Sequence, residues 1–305
     1  MEHIIRVDNL TKRYKDFTAV DHISFQVKKG EIFGILGPNG AGKTTTLEMM
    51  EGLKTITEGD AVINDISVKQ HANKVKRIIG VQLQSSSFYD LMNLKELLEF
   101  FASLYGRKVD GIALLKKVAL EDKWKSQAKE LSGGQRQRLS IAVALVNDPL
   151  VIFLDEPTTG LDPQARRHLW DLVHQIQKEG TTIILTTHYM EEAEVLCERI
   201  AIMDSAKIIA QDTPQGLLKL IPQNATVRFL VKGEVNLEEL KKLSAVKDAK
   251  QIKDAVTLHT DHVQDTLKGL IDYDRAHPVN FTDLQVHETN LEDVFLTLTG
   301  KSLRD

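Results

Sequence analysis

The chain has 305 residues, of which 42% are hydrophobic and 27% charged, and these ordinary proportions exclude a disordered or fibrous protein. Its formal net charge of −4 argues against a protein whose main task is to hold a nucleic-acid backbone. The single cysteine, Cys197, excludes an internal disulfide and fits a reducing compartment.

A membrane-spanning or exported chain is not expected from this sequence. Its apolar runs are all shorter than the ~18 to 20 residues that a spanning helix needs. The opening residues, MEHIIRVDNL, include acids and lack the layout of a signal peptide. We expect a cytoplasmic protein that reaches any membrane process through another polypeptide, and its length favours two domains or one large domain with an appendage.

The first predicted elements are strands. Within residues 18–27, Ile23, Phe25 and Val27 alternate with polar residues, which is the period of a half-buried strand. A second strand, residues 31–36, leads into a glycine-rich loop, and a helix is predicted over residues 43–53.

The loop has the pattern G-x-x-x-x-G-K-[ST]. Its residues are Gly37, Pro38, Asn39, Gly40, Ala41, Gly42, Lys43, Thr44 and Thr45. Glycines let backbone N–H groups approach phosphate oxygens, and the following helix adds the positive end of its dipole. Lys43 would neutralise the β- and γ-phosphates and the Thr44 hydroxyl would ligate Mg²⁺. Because the strand and the helix are both in place, the pattern predicts an ATP-binding loop rather than an ordinary turn.

Residues 91–128 are predicted to be helical. Apolar side chains recur there at three- and four-residue steps: Leu94, Leu97, Leu98, Phe101, Leu104 and Tyr105. This stripe predicts a helical insert whose apolar face forms internal core.

A second glycine-rich segment follows the insert, LSGGQRQR at residues 131–138. Ser132 is a natural N-cap for the helix predicted after it. Two glycines at a helix start form another backbone anion site, which one chain with one phosphate loop does not need unless it serves a different nucleotide. A capped surface helix is the plainer alternative.

An apolar strand, residues 150–154, ends in Asp155 and Glu156. Phosphoryl transfer requires a positioned water and neutralised charge more than covalent help. We therefore expect Asp155 in the Mg²⁺ shell and Glu156 as the group that polarises the attacking water. A strand that happens to end at a charged turn is the alternative, and the upstream loop disfavours it.

The rest of the chain divides in two. A helix over residues 163–178 and a buried strand over 181–186 continue the first part and predict a parallel sheet. Pro222 interrupts the pattern, and the remaining residues read as strand, helix, two strands, helix, strand and helix. This order suits a small α+β domain of the ferredoxin-like, split βαβ type.

The segment LSGGQRQR resembles the signature of ABC ATPases, and GPNGAGKTT and LVIFLDEP accompany it. The resemblance covers most of residues 1–220. It implies an α/β P-loop NTPase cassette over residues 1–222, with a helical subdomain at about 85–130, and a separate C-terminal accessory domain over 223–305.

The resemblance implies roles for four more residues. Tyr14 would stack on adenine, Gln84 would touch Mg²⁺ and the water, and His188 would bond the γ-phosphate. Asp162 would lie at a dimer seam, although it can also cap the helix that begins at Pro163. Taken alone, Tyr14 and His188 are more often ordinary surface or core residues.

The same resemblance implies how the second anion site is used. Two cassettes would stack head to tail, and each ATP would lie between the loop of one and Ser132, Gly133, Gly134 and Gln135 of the other. A homodimer is the simplest assembly, and a heterodimer stays open. The dimer would drive a separate integral membrane permease at the inner face of the membrane.

The C-terminal run at residues 288–300, ETNLEDVFLTLTG, resembles the tail of ABC-2-type exporter ATPases, or is simply an amphipathic closing helix. The alternative functions are a soluble ABC ATPase of DNA repair or translation, a P-loop kinase or GTPase, and a binding module with a relic ATP site. Soluble ABC ATPases of that kind usually carry a long coiled coil or tandem cassettes. A P-loop kinase or GTPase would have no reason for LSGGQRQR. Intact Glu156 and His188 disfavour a relic ATP site.

Overall fold

The structure is a computed structural model, and it describes residues 2–83, 88–89, 91–221, 225–231, 233, 235–277, 279 and 281–300. Its internal contacts divide the chain into two compact units. The first unit ends at Pro214 and the second begins at Gln215, a few residues before the boundary predicted at 222.

The first unit alternates strands and helices. In chain order they are β1 (His3–Tyr14), β2 (Phe17–Lys28), β3 (Ile32–Leu36), α1 (Lys43–Met50), β4 (Glu58–Ile63), β5 (Ile66–Ser67), α2 (Val68–Val75), β6 (Ile79–Gln82), α3 (Leu94–Leu104), α4 (Gly111–Lys117), α5 (Gly133–Ala144), β7 (Val151–Asp155), α6 (Pro163–Lys178), β8 (Thr182–Thr187), α7 (Met190–Leu196), β9 (Arg199–Asp204) and β10 (Lys207–Asp212).

A six-stranded sheet positions the site. Its order is β10-β9-β3-β8-β7-β6, parallel except for the edge strand β10. Every residue of β3, β7 and β8 is buried, as the apolar runs predict for a sheet covered on both faces. Because Leu36 lies opposite Thr187 and Asp155 opposite Thr186, the carboxyl ends of these three strands meet at one edge, where ligands bind in such sheets.

A second, antiparallel sheet packs on the first. Its order is β2-β1-β4-β5, and the predicted alternation holds, since Ile23, Phe25 and Val27 are buried. The ring of Phe25 stacks on Phe33 of β3 with centroids 5.1 Å apart. One continuous apolar core therefore joins the two sheets.

The helical insert differs from its prediction at one end. Leu94, Leu97 and Leu98 are fully buried in α3, but Leu104 is 65% and Tyr105 46% exposed. Leu104 is the last residue of the helix and Tyr105 follows it, so the predicted apolar stripe is not packed at these two positions.

The second unit is α+β. After a short helix at the division, α8 (Pro214–Leu218), its elements are β11 (Ala225–Leu230), α9 (Leu237–Leu240), β12 (Val246–Ile252), β13 (Ala255–Thr260), α10 (Val263–Ala276), β14 (Thr282–His287) and α11 (Leu291–Thr299). The strands form an antiparallel sheet in the order β12-β13-β11-β14. Leu240 of α9 and Leu270 of α10 join Val227 and Phe229 in its core.

The structure bears on the predictions about membrane-spanning helices and about the single cysteine. No helix within the described part of the chain has the length and hydropathy needed to cross a bilayer. Cys197 is buried, and burial raises the pKa of its thiol, which makes it unreactive.

Candidate functional site

The predicted phosphate loop connects β3 to α1, and contacts with the rest of the unit fix its shape. A Cβ on Gly37 would lie 2.2 Å from the Met203 carbonyl oxygen, and Gly42 has a φ of 106° and faces the Ala19 carbonyl oxygen. Only glycine tolerates both constraints. The loop is therefore held close against β9, with α1 beginning directly after it.

Lys43 is buried beneath this loop, with 4% of its surface exposed. Its Nζ donates to the Gly37 and Pro38 carbonyl oxygens at 2.9 and 3.2 Å. The same nitrogen lies 3.2 Å from Glu156 Oε1. The ammonium group is thus held at the centre of the loop by an ion pair that reaches from α1 to the end of β7.

Asp155 lies at the carboxyl end of β7, beside the first turn of α1. Its Oδ1 accepts a hydrogen bond from Thr44 Oγ1 at 3.2 Å and another from Thr186 Oγ1. Burial raises the pKa of Asp155, and the two hydrogen bonds partly oppose that shift. A carboxylate and a hydroxyl are thereby brought together as two hard oxygen donors.

Glu156 has an unusual backbone conformation, with φ at 48°. Its amide nitrogen lies within hydrogen-bonding distance of both the Thr186 carbonyl oxygen and Thr186 Oγ1, at 3.2 and 3.1 Å. A strained conformation persists only where its surroundings over-determine it, and such residues cluster at functional sites. In this conformation the Glu156 carboxylate lies beside Lys43 of the phosphate loop.

The charge of Glu156 is stabilised by its neighbours. Burial alone would raise its pKa, but the attraction of Lys43 and His188 outweighs burial and lowers the pKa of Glu156 below its usual value. Thr159 Oγ1 also donates to Glu156 Oε2 at 3.2 Å. The group is therefore a carboxylate at neutral pH, as an acceptor of protons from water must be.

His188 follows β8, and its Nδ1 lies 3.3 Å from Glu156 Oε2. The contact does not have the geometry of a hydrogen bond, because Nδ1 has no hydrogen-bond partner within the described part of the chain. The ring packs against Tyr189 with centroids 4.1 Å apart. The structure thus brings Lys43, Thr44, Asp155, Glu156 and His188 together at one sheet edge.

Two further residues, Gln84 and Tyr14, are predicted to reach the nucleotide or its metal. Gln84 lies outside the described residues. Tyr14 ends β1 with 42% of its surface exposed, and the Lys12 ammonium sits 4.9 Å from its ring centroid. An exposed aromatic ring at a strand end is available for stacking, although its partner there is a lysine.

The segment LSGGQRQR forms a second, distinct site at the start of α5. Ser132 caps this helix, and its side chain and that of Gln135 form a reciprocal capping box, as expected of an N-cap serine. Ser132, Gly134 and Gln135 line a cleft of about 200 Å³ together with Asp162 of the loop before α6. None of the residues lining this cleft belongs to the cluster around Lys43.

No neighbour of Gly133 in the described part of the chain requires a glycine at this position. Gly133 is the first residue of α5, where glycine is a poor helix former. A Cβ placed on it would meet no atom of the described residues within 4 Å. A residue without a side chain at an open helix start leaves room for a molecule that approaches from outside.

Known proteins resemble this chain in sequence. A sequence profile described as ABC transporter matches residues 20–159. The linearmycin resistance ATP-binding protein LnrL of Bacillus subtilis is 36% identical over 99% of this chain and 100% of its own length. The Nod factor export ATP-binding protein I of Ralstonia nicotianae is 37% identical over 99% of this chain and 95% of its own.

This chain belongs to the ABC transporter ATP-binding proteins. Solved cassettes agree in fold: a dimeric post-hydrolysis state of the cassette MJ0796 bound to ADP and Pi superposes with a TM-score of 0.63 at 28% identity, covering 68% of this chain and 98% of that one. The cbiO1 subunit of Clostridium perfringens gives 0.66 at 27% identity, covering 72% and 92%. The predicted family, cassette fold and transport-coupled ATPase activity are confirmed.

Sequence reasoning missed the residues that hold Asp155 and Glu156 in place. Thr186 bonds both Asp155 and the Glu156 backbone, and Thr159 bonds the Glu156 carboxylate. The only signal for Thr186 was its position at the end of a buried strand, where polar residues are scarce. The role of that position depends on β7 and β8 being neighbours.

A buried acid near this ABC ATPase site should make stability depend on pH. Glu51 ends α1 with 2% of its surface exposed, and burial, reinforced by the charges of Asp155 and Glu48, raises its pKa to about 8 from 4.5. The folded state therefore holds this proton more tightly, so its stabilising contribution is complete below pH 4.5 and is lost as pH rises to 8. We expect Glu51→Gln to raise the free energy of unfolding by roughly 1 to 4 kcal/mol at pH 8 and much less at pH 5.

Urea denaturation of the nucleotide-free protein at both pH values measures this difference. Glu179→Gln is the control, because Glu179 is an exposed acid that pairs with Lys117 and is not among the charges that raise the pKa of Glu51. Equal pH dependence in wild type and Glu51→Gln would show that Glu51 is not held protonated.

Proposed function

We propose that this subunit energises export of a substrate through a separate membrane permease. The relatives that match its full length are named for Nod factor export and linearmycin resistance, and both descriptions fit outward transport. The observation that carries the catalytic part is the buried Lys43–Glu156 ion pair beneath the phosphate loop. The subunit would lie in the cytoplasm, bound to the inner face of the membrane through the permease.

The residues at the sheet edge fit Mg-ATP in distinct roles. Lys43 and the loop residues 37–45 would bind the β- and γ-phosphates. Thr44 and Asp155 already face each other as hard oxygen donors, the ligand type that Mg²⁺ prefers, and Gln84 would join them. The bound metal would neutralise phosphate charge.

The Lys43–Glu156 ion pair of the nucleotide-free site would break when a triphosphate binds. A triphosphate in the loop competes with Glu156 for the Lys43 ammonium, because both are anions within reach of the same nitrogen. Release from Lys43 removes the main attraction that lowers the pKa of Glu156, so the carboxylate becomes a stronger acceptor for a proton of the attacking water. His188, already beside Glu156, would donate to the γ-phosphate.

The cleft at α5 supplies the other half of the nucleotide site. Gly133 and Gly134 offer helix-start N–H groups, which bind anions. Ser132 and Gln135 hold this helix start in shape through their capping box, and Asp162 lines the same cleft. Since this cleft shares no residue with the Lys43 cluster, its triphosphate would come from a second cassette. The intact catalytic groups favour a homodimer with two active sites, and Tyr14 would stack on the adenine of its own loop.

We assign the second unit as an accessory domain of the cassette. Its β-α-β-β-α-β order, with β11 between β13 and β14, supports a ferredoxin-like class. We place the domain boundary between residues 214 and 223, and the helical subdomain at about 85–130.

Co-purification tests the transport role. The tagged chain is expressed in its native host, the membrane fraction is solubilised in detergent, and the membrane protein that co-purifies is reconstituted with the chain in vesicles. We expect the pair to co-purify in a 1:1 ratio of subunits and ATP hydrolysis to accompany net transport. An ATPase that stays fully active in the soluble fraction and associates with no membrane protein would refute the transport role.

A further inference from the structure

The sheet of the second unit has one face that its helices leave uncovered. Val227 and Phe229 of β11 point toward α9 and α10 in the core. Because side chains alternate along a strand, Arg228 and Leu230 point to the opposite face. Thr257 and His259 of β13 do the same, since Val256 and Leu258 are buried.

This open face contains a groove of about 770 Å³, a volume in the range of small-molecule sites. Its apolar floor includes Leu230, Ala255 and Ile252, and Ile252 has 74% of its surface exposed. A large aliphatic side chain with this much exposure to water is stabilised when an apolar group covers it.

The groove is also cationic. Three cations, Arg228, Lys250 and Lys253, line it against one carboxylate, Asp254. Lys250 pairs with Asp248 at 3.5 Å, but no acid within the part of the chain that the structure describes lies within ion-pair distance of Arg228 or Lys253. This excess stands out in a chain whose net charge is −4.

The charge decides between two kinds of occupant. A second copy of the same face would bring these cations against their equivalents, and like charges across an interface cost several kcal/mol. An anion with an apolar body would satisfy both the cations and the floor. We propose that the groove binds an amphiphilic anion, a phosphate monoester that carries an apolar chain.

Octyl phosphate is the probe, and isothermal titration calorimetry the measurement. The full-length protein is first saturated with ADP, so that the nucleotide site is occupied and the outcome does not depend on how that site works. We expect saturable binding of octyl phosphate, at least tenfold weaker binding of inorganic phosphate, and no binding of the uncharged octyl glucoside. These three results distinguish an amphiphile site from a simple phosphate site or a purely apolar one.

Variants locate the site. The double substitution Arg228→Gln with Lys250→Gln changes only exposed side chains, and we expect it to weaken octyl phosphate binding tenfold or more, since charge-assisted hydrogen bonds are the strong ones. Lys268→Gln is the matched control, an exposed lysine of α10 on the helical side of the unit. Absence of saturable binding at millimolar probe, equal losses in both variants, or dimerisation through this face would overturn the proposal.

Discussion

Glu156→Gln will lower kcat for ATP hydrolysis by roughly 10²- to 10⁴-fold, the range for removing a general base, and will leave ATP binding intact. Glutamine keeps the size of the side chain and can still accept from Thr159 Oγ1, which lies 3.2 Å from the carboxylate. It cannot take a proton from water. Lys43 retains its bonds to the Gly37 and Pro38 carbonyl oxygens, so the loop stays formed.

Steady-state phosphate release and equilibrium ATP titration measure the two halves of this expectation. Glu179→Gln is the control, because Glu179 is a surface acid that pairs with Lys117 at 2.6 Å, and its kcat should stay near that of wild type. Wild-type turnover by Glu156→Gln would remove Glu156 from the reaction.

Lys43→Ala will weaken ATP binding by roughly 10- to 100-fold, the value of a charge-assisted hydrogen bond to phosphate. The ammonium group is the cation at the centre of the loop, and its carbonyl partners cannot replace its charge. Fluorescence titration with an ATP analogue measures the affinity. Unchanged affinity would contradict the assignment of the loop.

Lys43→Ala has a second consequence that must be separated from the first. It leaves Glu156 buried without its cation, and breaking a buried pair from one side costs about 3 to 5 kcal/mol of stability. The double variant Lys43→Ala with Glu156→Gln removes both charges, so it should regain most of that stability while its ATP affinity stays low. If affinity returned together with stability, the loss in Lys43→Ala would be a folding defect.

Local chemistry explains which parts of the fold could be predicted. The helix over residues 163–178 begins and ends where predicted, because Asp162 caps it, Pro163 starts it and Gly180 follows it. Ser132 caps α5 for the same local reason. The strand order β10-β9-β3-β8-β7-β6 depends on contacts between distant segments, which no local pattern encodes.

The candidate site also has parts that local sequence predicts and parts that depend on tertiary contacts. Phosphate and metal chemistry dictate the residue types and spacing of the loop, Asp155 and Glu156, so the sequence predicts that they lie close together, and the structure brings them together. The bonds of Thr186 to Asp155 and to the Glu156 backbone could not be predicted, because they depend on the register that places Asp155 opposite Thr186. The φ of 48° at Glu156 is likewise imposed by its tertiary surroundings.

The central claim is that each nucleotide site is completed by the α5 cleft of another cassette, and sedimentation velocity tests it most directly. We expect Glu156→Gln to be monomeric without nucleotide and dimeric with saturating Mg-ATP. Adding Gly133→Asp should keep it monomeric: the new side chain has open space around it and an acid suits a helix start, but it repels a triphosphate. A Glu156→Gln protein that stays monomeric with Mg-ATP, or a Gly133→Asp variant that dimerises equally well, would contradict the composite site.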